Sequence, residues 1–110
     1  MQPSDRHKLV LCTVPDQASG ENIAAELVAA RLAACVNLVP GMVSIYRWQG
    51  ETHKDAECLL LIKTRAECLQ ELEAAIKKAH PYELPEIIAL PIEQGLEGYL
   101  RWIDEHTETR

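Results

Sequence analysis

Between Val36 and Trp48 the chain reads VNLVPGMVSIYRW, a run with no helical period and a high share of β-forming residues. QGET follows as a turn. The return run, HKDAECLLLIKT from His53 to Thr64, sets Ala56, Cys58, Leu60 and Ile62 on one side against Glu57, Leu59, Leu61 and Lys63 on the other. The two runs predict a hairpin, with Pro40-Gly41 marking a bend or bulge in its first strand. At about 3.3 Å per residue that strand extends on the order of 40 Å, about twice the usual length. A chain of 110 residues makes one domain, 1–110, whose body is too small to cover such a hairpin. Its outer half therefore projects and leaves Ile45, Tyr46 and Trp48 uncovered unless a second copy meets them. A closed homo-oligomer with hairpins pairing edge to edge is expected.

The remaining elements frame this hairpin. HKLVLCTVP, closed by Pro15, has the continuous apolar character of a strand buried on both faces. Asp16 is placed to cap a helix whose Ile23, Ala24, Leu27, Val28, Ala30 and Ala34 share one broad face. Thr64 and Glu67 have the T-x-x-E spacing of a capping box, opening a second helix with Leu69, Leu72 and Ile76 as its buried stripe. In HPYELPEIIALPI, Pro81 stops that helix at His80, and Pro85 and Pro91 bound a strand over Glu86–Leu90. Because proline cannot donate to a ladder, this strand belongs at a sheet edge. Leu96, Tyr99, Leu100 and Ile103 then follow helical spacing in EQGLEGYLRWIDEH. The order β-α-β-β-α-β plus a terminal helix is that of an α+β, ferredoxin-like sandwich with a long β-hairpin.

A net charge of −6 without a basic block longer than Lys77-Lys78 argues against a nucleic-acid partner, since such affinity draws on clustered Lys and Arg. No run reaches the roughly 20 apolar residues of a membrane span, and the first residues do not read as a signal peptide, so no membrane partner and a cytoplasmic location are expected. With that location, Cys12, Cys35, Cys58 and Cys68 are expected as free thiols. Paired-carboxylate, Ser-His-Asp and Gly-rich phosphate-loop arrangements are not discernible.

RLAACVNLVPGMVSIYRWQGE, LLLIKT and HPYELPEIIALPI together resemble the CutA family of divalent-cation tolerance proteins, and the order of elements agrees from about Lys8 to Ile103. The combination of A-C-V-N, a Y-x-W-x-G hairpin tip and H-P-Y-x-x-P-E in one chain of this length is specific. The resemblance implies a non-enzymatic homotrimer, similar in architecture to the nitrogen-regulatory PII proteins. It also implies divalent metal binding, copper foremost, through a cysteine after the first helix, one in the first strand and the H-P-Y histidine. Those positions are Cys35, Cys12 and His80.

Thiolate and imidazole suit Cu or Zn ions, and no further cofactor is required. The spacing carries no C-x-x-C or H-x-x-x-H, so the fold or a subunit boundary must assemble any site. Against ligation stand structural roles: Cys12 and Cys58 as small buried hydrophobes, and His80 as the cation-favouring end of the second helix. His7, His53 and His106, near chain ends or the hairpin tip, read as solvated. Two alternatives remain open. One is a PII-like small-molecule sensor with clefts between subunits, using Lys63, His80, Tyr82 and Glu86. The other is a docking scaffold. Tyr46, Trp48 and Trp102 are expected to anchor an interface.

Overall fold

Alternation along the two central strands decides where the core sits. A computed structural model describes residues 1–108. Its strands are β1 (Gln2–Pro3), β2 (His7–Val14), β3 (Cys35–Trp48), β4 (Glu51–Arg65), β5 (Ile87–Pro91) and β6 (Gln94–Gly95). The helices are α1 (Gln17–Ala29), α2 (Leu69–Ala79), entered through a 3-10 turn at Ala66–Cys68, and α3 (Glu97–Glu105). On one face of the main sheet Val10, Cys12 and Val14 of β2 alternate into the same cluster as Cys58, Leu60 and Ile62 of β4, where Ile23 and Leu27 of α1 and Leu72 and Ile76 of α2 meet them. The sheet order is β3-β4-β2-β5, every pair antiparallel. This is the expected ferredoxin-like sandwich, with β5 at the edge its prolines require. A two-residue pairing of β1 with β6, which the sequence does not announce, ties the first residues to the segment that leads into α3.

Local chemistry explains the boundaries. Asp16 caps α1, its Oδ1 accepting from the Ser19 amide at 2.7 Å. A Cβ added at Gly20 would stand 3.1 Å from methyls of Leu38 and Leu60, so glycine there lets the helix lie close on the sheet. The expected helical face through Ala34 is not realised: α1 ends at Ala29 because Arg31 turns left-handed at φ 61°. The Arg31 and Leu32 amides donate back to the Val28 and Leu27 carbonyls at 3.0 Å each, a Schellman closure without glycine. Arg31 holds that geometry while its guanidinium donates to the Glu105 carbonyl and its own carbonyl accepts from the Glu108 amide at 2.8 Å.

The expected capping box is also replaced. Thr64 lies inside β4, fully buried, and its hydroxyl donates to the Leu32 carbonyl at 2.7 Å instead of capping a helix. Arg65 precedes the 3-10 turn without a side-chain cap. Glu67 binds Arg6 at 2.9 Å and Arg65 at 3.1 Å.

The hairpin behaves as its length dictates. β2 pairs with β4 only from Cys58 onward, so the pairing of Val43–Trp48 with Glu51–Ala56 extends past the body. Pro40-Gly41 interrupt the ladder as a bulge between Val39 and Met42, with Gly41 at φ 79°. Gln49 and Gly50 both take positive φ and close the tip as a two-residue turn. Ile45 is 69% exposed and Tyr46 is exposed; Trp48 is half-buried.

The second face of the sheet has helical cover at one end only, where α3 packs over His7 and the end of β4. Leu11 of β2 stands opposite Leu61 of β4 and Ile88 of β5, and Leu9 opposite Leu90, so these apolar side chains share one surface with Leu59. Ile88 remains 51% exposed, and Val39, on the same surface of β3, 44%. The sequence marks β2 as buried on both faces; within one protomer α1 and α2 bury Val10, Cys12 and Val14, whereas on the other face α3 covers His7 and leaves Leu9 and Leu11 half-exposed.

Candidate functional site

His80 caps the C-terminal end of α2, where its amide still donates to the Ile76 carbonyl at 2.8 Å while its backbone has turned extended ahead of Pro81. Its ring is buried and engaged at both nitrogens. Nε2 lies 2.7 Å from the Thr13 carbonyl and Nδ1 3.0 Å from the Tyr82 amide. A carbonyl only accepts and an amide only donates, so the bonds define the tautomer carrying its proton on Nε2. The histidine thereby pins the 81–86 loop to the end of β2.

That pin directs the next side chain. The Tyr82 hydroxyl donates to Glu57 Oε2 at 2.7 Å. Burial, and then the bond to Glu57, hold the phenol far above its ordinary pKa, so it stays a donor. Beside this pair a recess of about 690 Å³ opens between the outer hairpin and the 81–86 loop, bordered by Thr13, Tyr46, Trp48, Glu57, Tyr82 and Glu86. Tyr46 stacks on His53 with ring centroids 5.4 Å apart and hydrogen-bonds Asp55.

The cysteines occupy different environments. All four are free thiols. Cys12 is sealed in the core, and burial first, then the charges of Glu86 and Glu57, push its thiol up to about 12. Cys35 opens β3 on the uncovered sheet face, half-exposed, with Sγ 4.0 Å from Asn37 Oδ1. Lys63 stands opposite Cys35 and donates to the same Asn37 oxygen. Cys35 and Thr13, the residue His80 grips, pair with β4 at Lys63 and Leu59, about 13 Å apart along that strand. The three sequence-expected ligands are thus not assembled in one protomer. Among the described residues, no group of three or more His, Cys, Asp or Glu side chains is arranged to hold a metal ion. The expected ligand set divides likewise: Tyr82 and Glu86 border the recess, whereas Lys63 belongs with Cys35.

Burial yields a direct prediction. Alkylation of the native protein at pH 8 should leave Cys12, Cys58 and Cys68 unmodified, and denaturant should expose all three; intact-mass and peptide mapping read the result. An adduct on Cys12 in the native state would contradict the packing.

Trp102, expected at an interface, is half-buried on α3 between Tyr99 and His106, with ring centroids 5.4 and 4.7 Å away. His7 corrects an expectation. It is buried rather than solvated, with Nε2 2.8 Å from Asp104 Oδ1 and Nδ1 bonded to the Ser4 hydroxyl, fastening the first residues to α3. Its position as the first residue of β2, where the apolar alternation begins, was the available signal. A second clasp sits beside it, where Arg65, the register partner of His7, binds the Thr107 hydroxyl at 2.6 Å and the Thr107 carbonyl at 2.8 Å.

A ferredoxin-like α+β domain with one projecting hairpin, a histidine-pinned loop and a partly uncovered apolar sheet face defines the structural class. The model of the CutA1 divalent ion tolerance protein family matches residues 8–106. A divalent-cation tolerance protein CutA of Thermus thermophilus is 52% identical over 91% of this chain and 97% of its own. The crystal structure of CutA1 from Oryza sativa superposes with a TM-score of 0.92 at 43% identity, covering 96% of each chain. A protein described as the periplasmic divalent cation tolerance protein CutA of Archaeoglobus fulgidus is 39% identical, with a TM-score of 0.90 over 93% of this chain and 99% of its own. The chain belongs to the CutA divalent-cation tolerance family. No helix among the described residues is long and apolar enough to cross a membrane.

Proposed function

We propose that this chain acts as a non-enzymatic cytoplasmic homotrimer that binds divalent metal ions, copper foremost, and thereby supports cation tolerance. The carrying observation is the partly uncovered sheet face: Leu9, Leu11, Leu61, Ile88 and Leu90 share an apolar surface on which Ile88 and Leu90 remain exposed in one protomer, and the projecting hairpin extends from the same sheet. Three such faces turned toward a common axis bury it, and each hairpin gains a neighbouring body to lie against.

Cys35 is the ligand best placed for an incoming ion. It is half-exposed on the face that sister subunits approach, so donors missing from one protomer come from its neighbours. Cys12 and His80 join only if the core or the 81–86 loop opens, since one is sealed and the other has both nitrogens bonded. Calorimetry on reduced protein tests the reading. Cys35→Ser should remove most of the copper and zinc heat, by at least tenfold in affinity for the softer ion. Unchanged heats in Cys35→Ser would exclude it as a ligand.

A further inference from the structure

We propose that Ser4 is a self-activated acyl acceptor: His7 takes its proton, Asp104 positions the imidazole, and the donor is an activated ester. The fold brings the three together from opposite ends of the chain, Ser4 and His7 from the turn that leads into β2 and Asp104 from α3. Ser4 Oγ lies 2.5 Å from His7 Nδ1, and His7 Nε2 lies 2.8 Å from Asp104 Oδ1 and 3.2 Å from the Leu100 carbonyl. A carboxylate and a carbonyl only accept, so the imidazole carries its proton on Nε2 and leaves Nδ1 as the acceptor for the Ser4 hydroxyl. That is the order of a nucleophile, a base and a group that orients the base. It is assembled by tertiary contact, which is why no spacing in the sequence shows it.

Burial and bonding fit the same assignment. The His7 ring is buried and Asp104 half-buried, while Ser4 stays half-exposed beside a recess of about 310 Å³ bordered also by Arg6, Leu100 and Arg101. The Arg6 and His7 amides donate to Ser4 Oγ at 3.4 and 3.1 Å, so the oxygen is held in place with its proton directed at the imidazole. Those amides are spent on the nucleophile rather than offered to an oxyanion, which restricts the donor to esters with a good leaving group. In the transfer Ser4 Oγ bonds to the acyl carbon as its proton passes to Nδ1; the bond to the aryl oxygen breaks, and the departing phenolate takes that proton. Asp104 stabilises the imidazolium in between. One acyl group is taken per chain, so the non-enzymatic role proposed above stands beside it. Each group of the relay belongs to one protomer and is partnered within it. The relay also lies where β2 begins, at the opposite end of that strand from Val14, beyond which the hairpin projects.

The test adds p-nitrophenyl acetate to the full chain in its native assembly, following p-nitrophenolate release by absorbance and locating the acetyl group by peptide mass spectrometry. Ser19 and Ser44 are the internal references. General-base assistance is worth about 10²–10⁴-fold, so Ser4 should acylate at least about a hundredfold faster than either. Ser4→Ala should abolish that phase of release. His7→Ala should bring Ser4 down to the reference rate, and added imidazole should restore part of it, which a purely structural loss would not allow. Asp104→Asn presents an amide that can donate to Nε2 and so favours the wrong tautomer; it should slow the step at least about tenfold, with Asp104→Glu recovering most of the rate. Altered at a half-exposed position, the two Asp104 variants serve as the test if His7→Ala fails to fold. Absence of acetyl on Ser4 in the native assembly, a Ser4 rate equal to that of Ser19 and Ser44, or a rate indifferent to His7 and Asp104 would overturn the assignment.

Discussion

Leu11→Asp is expected to break the assembly into folded monomers. Leu11 lies in the middle of the uncovered face, with Leu61 on one side and Ile88 on the other. In an isolated protomer it is partly exposed, so a carboxylate there reaches water and the helical core behind β2 is untouched. In the proposed trimer the same carboxylate would be enclosed among apolar side chains from sister sheets. Burying an ion in such surroundings costs several kcal/mol. Even about 4 kcal/mol corresponds to roughly a thousandfold loss in association. Light scattering should report the monomer mass, and circular dichroism should retain the native helix and strand content. A variant that stays trimeric would show that this face is not the interface.

His80→Ala is expected to cost about 2–4 kcal/mol of stability, from the loss of two buried hydrogen bonds and the void left by the ring. The Thr13 carbonyl and the Tyr82 amide both lose their partner. The damage extends along the loop: once Tyr82 is no longer held, its bond to Glu57 loosens and the recess loses one wall. Denaturant unfolding measures the loss, with His106→Ala as the control, since among the described residues its exposed ring touches only Trp102 of its own helix, bonding its carbonyl and packing on its ring. Removing that ring should change stability by no more than about 0.5 kcal/mol. A His80→Ala variant as stable as the control would refute the pinning role.

The parts of the fold readable in the sequence are those governed by neighbouring residues. Strict alternation in HKDAECLLLIKT located both faces of β4, Pro40-Gly41 located the bulge, and Pro85 and Pro91 located the edge strand. The misread elements were decided by distant partners. T-x-x-E looks like a capping box until the Leu32 carbonyl captures the Thr64 hydroxyl. The helical alanines up to Ala34 look continuous until Arg31 turns left-handed beside Glu105 and Glu108.

The candidate site shows the same division. The sequence placed His80 at a helix end, where it is, but the Thr13 carbonyl that engages its ring comes from another strand. Glu57 occupied an ordinary polar place in an alternating strand, and only the return of the 81–86 loop makes it a buried carboxylate in a recess. Continuous apolar character in β2 was read as two-sided burial, but in one protomer Leu9 and Leu11 stay half-exposed. One protomer covers one side fully and the other only at its α3 end, and the mismatch is itself the argument for sister copies.

Sedimentation equilibrium of the unaltered protein at low micromolar concentration puts that argument to its most direct test. A single species of three times the 12.3 kDa chain mass is the predicted result. A stable species of one chain mass, with the apolar face and hairpin left in water, would contradict it.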